Sequence, residues 1–216
     1  MNRIVDFLDE IKANNNREWF NQNKSRYQVI QAQFNELTAS LIEGIARFDP
    51  MVAGLEVKDC LYRIYRDVRF SPNKEPYKTH MGAYICPGGK KSGLAGYYFH
   101  LEPGCSLLAS GLHCPDKAVV RSVRDEIFAN GAVFEQALSG ATGFALDMSD
   151  ALKRVPRDYP SDSPFGNYLR LKEFDLVKPL ELSGDILGRT LEDFSRCTAF
   201  NYLLNRAVEY AQNESR

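Results

Sequence analysis

The sequence predicts an α+β fold: a largely antiparallel central sheet with long amphipathic helices packed on one face. Three observations predict it. Apolar residues recur at helical spacing over residues 1–50 and again over 115–216. Between them, residues 58–113 change to short runs rich in aromatic and β-branched residues, punctuated by Gly and Pro. These runs follow one another without an intervening helical pattern, which favours antiparallel neighbours over a parallel βαβ array. A chain of 216 residues with no internal repeat and no Gly/Ser-rich linker predicts one domain over 1–216.

Each element has its own justification. Ile4, Phe7, Leu8 and Ile11 predict a first helix, which Asn14-Asn15-Asn16 breaks. An Asn there can cap the next helix, because its side-chain oxygen accepts a free backbone N–H. From Arg17, the series Phe20, Tyr27, Ile30, Phe34, Leu37, Leu41, Ile45 and Phe48 predicts one long helix ended by Asp49-Pro50. Strands are expected over 61–70, 81–86, 96–102 and 106–112, the last two joined as a hairpin by Pro103-Gly104. The Gly-rich stretch 87–93 is expected to be a mobile hairpin tip or lid. After Pro115, Val119, Val120, Val123 and Ile127 predict a helix stopped by Asn130-Gly131, and Val133–Leu138 predicts a short one beyond it. Residues 139–182, with four prolines, are expected to be irregular, and Leu187 through Ala207 to form a C-terminal helix.

Composition narrows the function. Hydrophobic residues are 44% and charged residues 25%, which excludes intrinsic disorder. The 27 Lys and Arg against 28 Asp and Glu leave a net charge of −1, so no global field recruits nucleic acid or an acidic membrane. Apolar runs are only a few residues long, whereas a membrane helix needs about 20. The N-terminus carries charge at once and lacks an apolar signal core. Cys60, Cys86, Cys105, Cys114 and Cys197 are widely spaced with no Cys-x-x-Cys, so they are expected to be reduced and mostly packed, in the cytoplasm.

One segment stands apart. Residues 61–80 carry Arg63, Arg66, Arg69, Lys74 and Lys78 against Asp67 and Glu75, a local charge of +3 in a neutral chain. Read as a strand, Tyr62, Ile64, Val68 and Phe70 share an apolar face with Arg66, which then needs an acidic partner. Arg63, Tyr65, Asp67 and Arg69 share the other face, and Tyr98, His100 and Glu102 extend it if the next strand points the same way. Such a face is a floor for an anion, since the arginine fork binds phosphate or carboxylate at two points. Lys74, Tyr77 and Lys78 can reach over its edge. The alternative is a network of solvated Arg–Asp pairs that binds nothing.

Other chemistry is less supported. His80, His100 and His113 form no H-E-x-x-H or His-x-His, so no metal site is expected, and no cofactor motif indicates a cofactor. His113 and Cys114 are neighbours, and neighbours on an extended chain point apart, which argues against a shared proton. His100 is the better acid–base candidate, with Asp67 as the second, because an imidazole titrates near neutrality. Residues 87–93 lack the Walker spacing.

The stretches Asn14–Lys24, Tyr62–His80 and Gly96–Glu102, with Leu152–Pro156 and Tyr168–Phe174, resemble the family known as domain of unknown function 2461. The resemblance covers nearly the whole chain, and its Arg-rich central motif is long and specific. It implies a single-domain, bacterial-type cytosolic protein, and no particular reaction, substrate or cofactor. The residues themselves favour a protein that binds an anionic, phosphorylated or carboxylated, small molecule through Arg63, Arg69, Lys74, Tyr77, Lys78, Tyr65 and Tyr98. If it is catalytic, Asp67 or His100 moves the proton. A nucleic-acid module, with Lys90 and Lys91 added and Tyr65 and Tyr98 stacking bases, is the second reading, weakened by the net charge. A scaffold whose polar face is an interface is the third.

Overall fold

Four helices lead into the sheet: Asn2–Ala13 (α1), Arg17–Gln22 (α2), Lys24–Ile45 (α3) and the short Val57–Cys60 (α4). Strands Met81–Ile85 (β1), Gly96–Leu101 (β2) and Leu107–Leu112 (β3) follow, then helix Lys117–Gly140 (α5). The chain adds Ala145–Leu146 (β4), Gly166–Leu169 (α6) and Phe174–Pro179 (β5), and closes with Ile186–Arg196 (α7) and Thr198–Glu214 (α8). This computed structural model describes residues 1–214. The sheet order is β1-β2-β3-β5-β4, and every pair is antiparallel, giving the expected α+β class. Among the described residues no helix is long and apolar enough to cross a membrane.

Alternation along the strands sorts the sheet into two faces. Ala83 and Ile85, Tyr97, Phe99 and Leu101, Leu108 and Leu112, and Phe174 and Leu176 all point to one side and are buried. Helices cover that side: Phe34 of α3 meets Phe99, Phe194 of α7 meets Tyr97 at 5.3 Å between rings, and Phe200 of α8 meets Phe134 of α5. Full burial of one such side chain contributes about 1.5–3 kcal/mol, so this face is the main source of stability.

Several elements depart from the sequence reading, each for a local reason. The long helix expected from Arg17 is broken at Asn23, whose side chain donates to the Trp19 carbonyl at 2.9 Å and competes with the helical ladder. The C-terminal helix is likewise two, divided at Cys197. Asn130 leaves helical geometry as expected, but the chain resumes at once, so the two expected helices form one kinked element. Gly131 beside the kink has Phe165 packed where a Cβ would stand, 2.3 Å away. Residues 87–93 are fastened: Lys90 donates from its backbone to Asp59 and from its Nζ to Lys58, and Gln212 of α8 donates to Ser92.

The largest correction concerns 61–70, which is not a strand. It makes only isolated bridges, Leu61 to Ala83 and Tyr65 to Tyr77, and Pro76 has no N–H to extend a ladder. Its exposure alternates only in the middle: Ile64 is buried and Arg66 and Val68 are half-buried between exposed Arg63, Tyr65, Asp67 and Arg69, while Tyr62 and Phe70, the latter 94% exposed, leave the apolar face. Conversely, β5 was hidden in the stretch expected to be irregular. Phe174 and Leu176 supply its buried face, while Asp175, Lys178 and Pro179 mask its pattern.

Tyr97 ties three segments together. Its hydroxyl donates to the buried Asp49 carboxylate at 2.9 Å, with Thr198 Oγ1 3.2 Å away, and Tyr202 of α8 donates to the other Asp49 oxygen. A buried hydrogen bond to a charged group contributes about 1.5–3 kcal/mol. Tyr97→Phe is expected to lower urea stability by about that amount with an unchanged denaturant slope; a loss below about 0.5 kcal/mol would contradict this role.

Candidate functional site

The second face of the sheet is the informative one. Register aligns its residues in three bands. Met81 opposite Leu101 brings His80 beside Glu102 at one end of the strands. Tyr84, Tyr98, Ala109 and Val177 cross the middle. Gly111 and Asp175, followed by His113, lie at the other end. These bands border a cavity of about 560 Å³, walled by Tyr62 and Lys78, by Pro115, Asp116 and Val119 at the start of α5, and by Gln212 of α8.

Gly82 makes the first band possible. It stands opposite His100, and a Cβ there would lie 2.5 Å from the Tyr98 hydroxyl. The Tyr98 ring uses that space to reach His100. Tyr98 Oη lies 2.9 Å from His100 Nδ1, and His100 Nε2 lies 3.1 Å from Glu102 Oε2. Thr79 donates to the other Glu102 oxygen at 3.0 Å. An ionised carboxylate only accepts, so His100 carries its proton on Nε2 and Nδ1 accepts from Tyr98. Burial pushes the Tyr98 phenol up to about 12, which keeps it a donor at neutral pH. Burial also opposes the charge on Glu102, but the hydrogen bonds from His100 and Thr79 outweigh it and hold the carboxyl below its usual value.

His80 and Lys78 complete this end. The His80 ring lies 4.6 Å from that of His100. Burial, then the neighbouring His100 and Lys78, push its pKa down to about 4, so it is neutral at pH 7. Lys78 sets its ammonium 5.3 Å from the centre of the Tyr62 ring. Burial, with the repulsion of Arg63, lowers its pKa. Among the described residues it has no carboxylate within ion-pairing distance, whereas Arg66 and Arg69 both do.

The far end has the opposite character. His113 Nδ1 lies 2.9 Å from Asp175 and 3.3 Å from Glu173, and Cys114 donates its thiol to Glu173. Here the expectation that His113 and Cys114 point apart fails. Cys114 has φ 50°, a left-handed conformation rare for a residue with a Cβ, and it turns both side chains toward the same acidic pair. The Glu173 hydrogen bond, then burial, pushes the thiol up to about 11, so it is not an activated nucleophile.

Of the residues singled out in the sequence, Lys78 and Tyr98 line the cavity, and His100 sits behind Tyr98. Lys90, named for the nucleic-acid reading, lines it too, and the remaining candidates for the anion site are elsewhere. Arg69 and Asp67 form their own exposed pair at 2.7 Å. Lys74 donates to the Val68 carbonyl, and Arg63 is exposed. Tyr77 stacks on Phe20 at 3.9 Å, its backbone pinned by Asn15, and Tyr65 packs edge-on to the same Phe20. The Arg-lined sheet face therefore does not exist as pictured, because the arginines lie outside the sheet. Tyr84, expected as a possible addition to the polar sheet face, does line the cavity, whereas His80, Tyr62 and the acidic end were not singled out as cavity residues. The spacing His100-x-Glu102 was a usable signal, since alternate residues of a strand share a face.

His80 gives this end a pH signature. Its folded pKa lies below the unfolded value, so the unfolded chain binds the proton first as pH falls. Stability should fall between about pH 6.5 and about pH 4, by at most about 3 kcal/mol, and level off below. Urea unfolding of His80→Gln in the presence of a chelator should lose that part of the slope; an unaltered slope would refute it.

No curated protein and no solved structure matches the chain. The family described as conserved hypothetical protein DUF2461 matches residues 3–201, and the chain belongs to that family.

Proposed function

We propose that the cavity binds a small organic anion, with its charged group on Lys78 and its body along Tyr62, Tyr98 and Val177. The observation that supports it most is the unpaired ammonium of Lys78. A half-buried cation facing a cavity, with Arg63 repelling it and no carboxylate beside it, is stabilised by an incoming phosphate or carboxylate. Aromatic walls favour a flat ligand body, and the acidic far end favours hydrogen-bond donors on its tail. Tyr98, its hydroxyl proton held by His100, offers the ligand its ring and an oxygen that accepts, so His100 acts through Tyr98. Asp67 lies outside this arrangement. Nucleic acid is the weaker reading, since Tyr65 packs on Phe20 while Tyr98 lies inside the cavity, and the two offer no common stacking surface. The same reading takes the chain as one domain of the reducing cytoplasm, supported by a shared apolar core and five cysteines outside any disulfide.

Phenyl phosphate and benzoate are suitable probes by calorimetry and thermal shift. Lys78→Met is expected to weaken phenyl phosphate by at least about tenfold, the scale of one charge-assisted hydrogen bond, while Arg69→Ala leaves it unchanged. The reverse pattern would place the anion on the exposed arginine and end this reading.

A further inference from the structure

We propose that His80, His100 and Glu102 form a binding site for a divalent first-row transition metal of the zinc(II) type, opening into the cavity. The site stands on its own geometry and does not require the anion at Lys78. One donor atom from each of the three residues lies within 4.8 Å of the others, and two of them, His100 Nε2 and Glu102 Oε2, are already 3.1 Å apart. Two imidazoles and one carboxylate are a donor set that holds zinc or iron(II) with further positions left for solvent or substrate. Of the three, His80 lines the cavity, which gives the site its connection to that space.

The surroundings fit metal ligands better than a bare hydrogen-bonded triad. Metal-binding histidines are oriented through their second nitrogen, and metal-binding carboxylates through their second oxygen. Here Tyr98 meets His100 Nδ1 at 2.9 Å, and Thr79 meets Glu102 Oε1 at 3.0 Å. Both contacts leave the converging atoms, His100 Nε2 and Glu102 Oε2, bonded only to one another, so an ion replaces the one proton between them. On binding, the His100 proton shifts from Nε2 to Nδ1 by exchange with solvent, the Tyr98 oxygen accepts it there, and the Tyr98 hydroxyl turns its own proton away from the ring. Cross-strand register sets the third ligand: His80 precedes β1 and stands across from Glu102, so the backbone brings them together without a loop. The charge of Glu102 offsets half of a dication, and the remainder adds to the pull of the cavity on anions.

A second cluster, His113, Cys114 and Glu173, also converges, but His113 and Cys114 are exposed and their polar atoms are spent on one another's acidic neighbours. It serves as the internal control, because a thiolate ligand has its own spectrum.

The test is cobalt(II) and zinc(II) titration of the chelator-treated full chain. Wild type should bind one cobalt(II) with visible d–d absorption and no thiolate charge-transfer band. His80→Ala and Glu102→Gln, both half-buried positions checked for folding by circular dichroism, should each weaken binding by at least about 100-fold, and Tyr98→Phe by about 10–100-fold. Cys114→Ala should match wild type. A thiolate band lost in Cys114→Ala, an unchanged affinity in folded His80→Ala, or no cobalt bound by folded wild type would each overturn the proposal. Phenyl phosphate binding to the metal-free protein separates this outcome from that of the anion reading.

Discussion

The pairing of β1 with β2 is the constraint on which the open face depends. With Met81 opposite Leu101, the inner face receives Ala83, Ile85, Tyr97, Phe99 and Leu101, and the helices bury them. The same register sends His80, Gly82, Tyr84, Tyr98, His100 and Glu102 outward. A slip of one residue would put imidazoles and a carboxylate into the core and aromatics into water, at a cost of many kcal/mol. The apolar face thus fixes the geometry of the polar one, and precise placement of His80 beside Glu102 follows from burial elsewhere.

The open face carries polarity that stability alone would not select. It holds a neutral half-buried histidine, a lysine with no ion-pairing carboxylate among the described residues and, at the far end, an aspartate whose carboxyl burial pushes up despite His113. Groups whose ionisation is shifted by burial and specific neighbours, gathered in one cleft, mark functional sites more often than structural ones. The two ends differ in character along the strand direction, with Lys78 at one and Asp175 and Glu173 at the other. Gly82 shows how far the arrangement reaches into the backbone: its missing Cβ is the room that the Tyr98 hydroxyl occupies.

Much of the fold was legible because its signals are local. Helical spacing in α1 and α3 and the Pro103-Gly104 hairpin needed no knowledge of partners. The strand reading of 61–70 failed because extended backbone with aromatic residues satisfies the same pattern whether or not a ladder forms, and Pro76 and the stacking of Tyr77 on Phe20 decide against one. With that strand went the arginine face: Arg69 closes on Asp67 two residues away, a neighbour on the same side of the extended chain, and the pair lies outside the sheet. The segment was still the right place to look, since its last residues, Lys78 and His80, reach the cavity. β5 was missed because Asp175 and Lys178 interrupt its apolar pattern and are satisfied by His113, 62 residues away, and by Asp193 on α7, contacts that only the folded chain brings about.

The account is tested most directly by a crystal structure of the protein soaked with phenyl phosphate. It predicts the phosphate within hydrogen-bonding distance of Lys78 Nζ and the ring between Tyr62 and Tyr98. Phosphate held by Arg63 or Arg69 at the surface, with no ligand in the cavity, would contradict it.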